Sequence, residues 1–171
     1  MVIKKLGAIK CVTMLVLLIL INPVFSSETQ TGPVTDFPLP RFVSMKASKA
    51  NVRRGPSLKH KIDWVYKHQN IPLEIIAEHS HWRKVRDRDG QGGWMHYSLL
   101  TGIRTVIVIK NLLQLNIRPD KSSPVIAALE DGAVTRLKKC IKDWCQVRIN
   151  GYQGWVPKDG IWGVNSDEIY K

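Results

Sequence analysis

The strongest constraint on this chain is that most of it after residue 40 is written twice. Asn51-Val52-Arg53 returns as Asn116-Ile117-Arg118, offset by 65 residues. Trp82-Arg83-Lys84-Val85-Arg86 returns as Trp144-Cys145-Gln146-Val147-Arg148, offset by 62, and Gly92-Gly93-Trp94 returns as Gln153-Gly154-Trp155, offset by 61. Three landmarks in one order, with offsets drifting by only four residues, mark a duplicated unit. A single unit of about 60 residues buries only about 60% of its chain surface and is marginal alone. The two copies are therefore expected to touch across the short joint Thr101 to Thr105.

Inside each copy the pattern is β. Pro72 to Glu78 leads through the polar turn His79-Ser80-His81 into Trp82 to Arg86, and Asp87 to Gly92 turns the chain into Gly93-Trp94-Met95. The second copy repeats this with Ala133 to Cys140, Trp144 to Ile149 and Tyr152 to Val156. Asn150-Gly151 between the last two predicts a type I′ hairpin. Short strands separated by Gly and Asp turns predict an all-β chain of two tandem small β-barrels, over residues 41–102 and 103–171. Beyond residue 30 helix is confined to single 3₁₀ turns near Ser98-Leu99-Leu100 and Lys158-Asp159-Gly160. The run Thr105-Val106-Ile107-Val108-Ile109 would be an aggregation-prone edge unless covered, and packing of the two copies is expected to cover it.

Residues 1–26 read as a secretory signal peptide: Lys4, Lys5 and Lys10, then the apolar run Cys11 to Ile21, then Asn22-Pro23 and a small residue, Ser26, at a cleavage position. The run is shorter than the roughly 18 apolar residues of a spanning helix, so the mature form is not expected to cross the membrane. An uncleaved anchor is the alternative. Residues 27–40 are predicted to be a mobile lead-in that ends extended at Phe37-Pro38-Leu39-Pro40. Export places the protein in the periplasm or cell envelope.

The formal net charge is +12 at pH 7, concentrated in the first copy, which also holds all five histidines. Such a field draws in anions. Export argues against nucleic acid and leaves cell-wall polymer, acidic lipid headgroups or an acidic exported protein as partners. Charge serving only solubility is the plainer reading. Cys140 and Cys145 flank a possible hairpin turn and are expected to form a structural disulfide in an oxidising compartment. Closing so short a loop stabilises by about 2 kcal/mol.

The segments Ala50-Asn51-Val52-Arg53-Arg54-Gly55-Pro56, Trp82-Arg83-Lys84-Val85 and Gly93-Trp94-Met95-His96 resemble the bacterial SH3-like (SH3b) family. Leu39 to Ser44 ahead of them and Ser98 to Gly102 behind are similar to an exported proteobacterial branch. The resemblance implies barrels of five or six strands that bind cell-wall peptides or proteins. It also implies a ligand groove lined by a Trp that opens a central strand and a Pro after a Gly-aromatic-aliphatic step. Those positions are Trp144 and Pro157 in the second copy, Trp82 and His96 in the first. The loop Arg53 to Lys61 is basic where Arg-reading SH3 domains are acidic, which favours an anionic ligand.

Candidate ligand-binding residues are thus Arg53, Arg54, Lys59, Trp82 and His96, with Arg118, Trp144 and Pro157 as second-copy counterparts. Trp94 and Trp155 are expected in the core; for Trp82 and Trp144, core and groove are equally open. His79, His81 and His96 lack the acidic companions of a metal site and read as a solvated turn. No nucleophile motif and no spaced carboxylate pair appear, so no catalysis, cofactor or metal is expected. The expected function is an exported, non-catalytic module recognising a wall glycan, a wall peptide or another anionic envelope ligand. A periplasmic adaptor docking an envelope enzyme or membrane protein is the alternative.

Overall fold

The structure, a computed structural model, describes residues 30–171. The expected signal peptide lies outside them. Two seven-stranded antiparallel sheets, each curled into a small barrel, follow one another along the chain. The first contains β1 (Arg41–Met45), β2 (Ala50–Arg53), β3 (Ile62–Tyr66), β4 (Pro72–His79), β5 (Trp82–Arg86), β6 (Gly92–His96) and β7 (Leu100–Thr101). The second contains β8 (Thr105–Val108), β9 (Leu113–Asn116), β10 (Val125–Leu129), β11 (Val134–Cys140), β12 (Trp144–Ile149), β13 (Tyr152–Pro157) and β14 (Ile161–Trp162). The strand orders are the same: β3-β2-β6-β5-β4-β1-β7 and β10-β9-β13-β12-β11-β8-β14. Each barrel exceeds the five or six strands implied by the resemblance, and each closes with a two-residue strand after a 3₁₀ turn, at Tyr97–Leu99 and Lys158–Gly160.

Alternation along the strands builds two separate cores, one from Met45, Val52, Leu73, Ile75, Val85 and Met95, the other from Val106, Leu115, Leu137, Val147 and Val156. The β12–β13 turn has both Asn150 and Gly151 at positive φ, as a type I′ hairpin requires. The run 105–109 is covered otherwise than expected: β8 pairs with β11 on one side and β14 on the other, inside its own barrel. Trp94 and Trp155 are also displaced from the core. They are only half-buried, because the residues that alternate inward are Met95 and Val156.

Register sets the correspondence between the copies and corrects one landmark. Arg53 pairs with Trp94 and Asn116 pairs with Trp155, so Arg53 corresponds to Asn116, an offset of 63. The shared Asn-aliphatic-Arg lettering suggests 65, but burial decides otherwise: Val52 and Leu115 are both wholly buried, whereas Ile117 is 54% exposed. Arg118 is therefore not the counterpart of Arg53.

The same register brings an unexpected pair into view. Cys140 lies opposite Cys145 and forms the disulfide, with Cα atoms 4.1 Å apart. At the matching place in the first barrel, Glu78 lies opposite Arg83. The Glu78 carboxylate is buried, 2.6 Å from Arg41 and 3.3 Å from Arg83. It also accepts the backbone N–H groups of Val34 and Thr35 and the Thr35 hydroxyl. Residues 30–40 are thereby folded against the barrel, with Leu39 buried, whereas the sequence suggests a mobile lead-in. The missing signal was the buried acceptor that satisfies their backbone.

Burial alone would raise the Glu78 carboxyl, but the hydrogen bonds from Arg41, Thr35 and Val34 outweigh it and hold it at about 2 instead of 4.5. A lowered native pKa contributes stability that is present above 4.5 and lost as pH falls towards 2. Thermal melts are expected to stay level near neutral pH and decline through that window. Glu78→Gln should remove that part of the decline.

The two barrels touch. Ser44 Oγ lies 2.6 Å from Thr105 Oγ1, which donates to the Asn70 carbonyl. Arg88 donates to the Val108 carbonyl and to Asp131, and Trp162 meets Phe42 edge-on at 5.1 Å. Among the described residues no helix is long and apolar enough to cross a membrane.

Candidate functional site

The second barrel carries a groove of about 900 Å³. Trp144, which opens β12, and Pro157, which ends β13, face each other across the strand pair and line it. Further lining comes from the β8–β9 connection (Ile109 to Leu112), from Lys121 in the β9–β10 loop, from Lys142 and Asp143 in the β11–β12 turn and from Lys158 and Asp159 after β13. Lys110 is neutralised by Asp159 at 2.7 Å. Lys158 is buried and donates to the carbonyls of Ser166 and Glu168, which ties down the C-terminal segment. Lys121 and Lys142 are exposed and lack an ion-pair partner among the described residues. The groove thus brings a Trp–Pro pair together with two cations that form no ion pair among the described residues, beside the Asp143 carboxylate.

The corresponding place on the first barrel is shaped differently. Trp82 lies opposite His96, as Trp144 lies opposite Pro157. The Trp82 and His96 rings meet edge-on at 5.7 Å, and His96, Tyr97 and His81 form a ring cluster with centroids 4.9 to 5.9 Å apart. His96 Nδ1 and the Ser98 hydroxyl are 2.8 Å apart. Trp94 lies beside Lys84 and Arg53 on the same outer surface, with His79 against its ring at 6.4 Å. Among the described residues no three His, Cys, Asp or Glu side chains converge as a metal site.

The other candidates are distributed unevenly. Arg53 Nη1 donates to the carbonyls of Leu58 and His60 and so braces the β2–β3 loop. Asn116 does the same in the second barrel, donating to the Asp120 carbonyl. Arg54 binds Asp63 through two nitrogens. Lys59 is exposed near the tip of that loop, and Arg118 is exposed in the β9–β10 loop. Sequence reading missed Lys121 and Lys142, because lysines in variable turns carry no motif and acquire meaning only from the Trp they flank.

Comparison with known proteins follows this geometry. No curated protein matches the chain. Among solved structures, NlpC2 from Trichomonas vaginalis matches with 11% identity and a TM-score of 0.34, covering 71% of this chain and 47% of that one. NlpC1 from the same organism matches with 9% identity and a TM-score of 0.34, covering 77% and 49%. The chain spans about half the length of each. The family model for the bacterial SH3 domain matches twice, over residues 46–102 and 110–163, once on each barrel. The chain belongs to the bacterial SH3 domain family, in two tandem copies.

Proposed function

We propose that the protein is an exported, non-catalytic binding module that holds an anionic cell-wall glycan or peptide in its barrel grooves. The observation that carries this is the second-barrel groove, which half-buried Trp144 and Pro157 line together with exposed Lys121 and Lys142. An apolar Trp–Pro surface takes the face of a sugar ring or a peptide side chain, and the lysines attract carboxylates. The sequence favours the first barrel as the main site. The groove shifts that weight to the second, because Arg53 braces its own loop and Arg54 is held by Asp63. Trp82 and His96 then form the secondary site. Both cysteines are wholly buried in their disulfide, which fits an oxidising envelope compartment.

Sedimentation with purified peptidoglycan tests the reading. The protein should be retained, and Trp144→Ala combined with Lys142→Glu should weaken retention about thirtyfold, the loss typical of a buried aromatic anchor. Trp82→Ala should weaken it less. Retention that ignores both grooves overturns the assignment. Absence of retention, together with one stoichiometric envelope protein co-purifying, would support the adaptor reading instead.

A further inference from the structure

The β2–β3 loop and the strand after it present a second surface, apart from either groove. β3 leaves the core as it runs towards the loop: Tyr66 and Trp64 share the side of Val52, and a bulge at Asp63 turns Ile62 to the side of Arg53. Tyr66 is 7% exposed, Trp64 45% and Ile62 46%, and Leu58 at the loop is 77% exposed. The loop is fixed rather than collapsed. Arg53 holds the carbonyls of Leu58 and His60, the Arg54 N–H donates to Lys61, and the Ser57 N–H donates to Gly55. Lys59, His60 and Lys61 stand between Leu58 and Ile62, and Lys67 and His68 follow the strand. The one carboxylate in the stretch, Asp63, is engaged by Arg54. In the second barrel the place of Trp64 is taken by Ala127, which packs against the core, and the loop carries Asp120-Lys121-Ser122.

A braced loop that holds apolar side chains in water between lysines matches few partners. Wall polymer offers no apolar phase for Leu58. Centres of protein interfaces are depleted in lysine. An anionic bilayer surface meets both demands: tryptophan and leucine settle at the headgroup–acyl boundary, while lysines beside them reach the headgroups. We propose that this tip docks the first barrel on an anionic lipid surface, with Leu58, Ile62 and Trp64 entering the interface and Lys59 and Lys61 meeting the headgroups.

The test uses the full chain carrying Cys11→Ser and an environment-sensitive nitrobenzoxadiazole fluorophore on Leu58→Cys, with the same label on Tyr152→Cys as the control. Both positions are exposed, at 77% and 56%, and the native disulfide is buried and unreactive. On phosphatidylglycerol-rich vesicles the label at 58 should brighten and shift to the blue, while the label at 152 stays as in buffer. On pure phosphatidylcholine neither should respond, even where the leader holds the chain on the vesicle. Lys59→Ala with Lys61→Ala should abolish the response at 58 on the anionic vesicles. A label at 58 that stays in water there, that responds equally on phosphatidylcholine, or that ignores the lysine changes overturns the proposal. So does a label that responds only to purified wall or to a co-purified protein. The groove variants play no part in this readout, so the two proposals fail separately.

Discussion

Replacing Glu78 by alanine is expected to lower the unfolding free energy by about 3–5 kcal/mol, because it leaves buried cations without their partner. Arg41 and Arg83 both converge on this carboxylate, and the N–H groups of Val34 and Thr35 end there. Chemical denaturation should show the loss, and limited proteolysis should find residues 30–40 newly cleavable. A loss below about 1 kcal/mol, the range of an exposed ion pair, would mean that the cluster is wetter than its burial implies. The second barrel supplies a control within the same molecule. Glu78 and Arg83 occupy the strand positions that hold Cys140 and Cys145 there. Under oxidising conditions, Glu78→Cys with Arg83→Cys should form a second disulfide and recover part of the loss, and mass spectrometry before and after reduction would detect the bond. It should leave residues 30–40 loose, since it restores the cross-strand link but not the acceptor.

Gly93→Val is expected to be nearly as damaging, at about 3 kcal/mol, through overpacking and a forced backbone change. Gly93 has φ +151°, and a Cβ there would lie 2.7 Å from the Arg53 carbonyl oxygen and 2.9 Å from Val52 Cγ1. The obstacle is backbone, so no rotamer change relieves it. Gly154, its counterpart, would meet the Asn116 carbonyl oxygen at 2.7 Å and Leu115 Cγ at 2.8 Å. The clash recurs at the same strand crossing in both barrels. Thermal melting of the two single valine variants should show comparable losses. A Gly93→Val protein that melts like the parent would refute the close approach of β2 and β6.

These two positions show what the sequence revealed and what it withheld. Gly-Trp is visible as a repeat landmark, but its cause, two strands too close for a Cβ, belongs to pairing across about 40 residues of chain. Strand bounds were legible wherever polar and apolar residues alternate: β5 and β12 begin at their tryptophans, and the Asn150-Gly151 turn fell where its φ preference places it. The Asn-aliphatic-Arg match misled because three letters weigh less than burial, and the shift of two residues keeps the same side of the strand facing in. Glu78 was unreadable as a cluster centre, since its partners lie at residues 34, 35, 41 and 83. Of the candidate site, Trp144, Pro157, Trp82 and His96 were named through the family resemblance, and register sets Trp144 opposite Pro157 and Trp82 opposite His96. Lys121 and Lys142 carried no such signal, because only folding brings two separate turns to one groove.

The joint between the barrels has a consequence for ligand choice. Thr105 hydrogen-bonded to both Ser44 and Asn70, Arg88 reaching across to Asp131, and Phe42 seated on Trp162 hold the two barrels at a set spacing. Under the proposed function, two grooves so held favour polymers whose repeat distance matches their span, because the second engagement becomes intramolecular. Single repeat units would then bind feebly, while long strands of the same material are held by avidity.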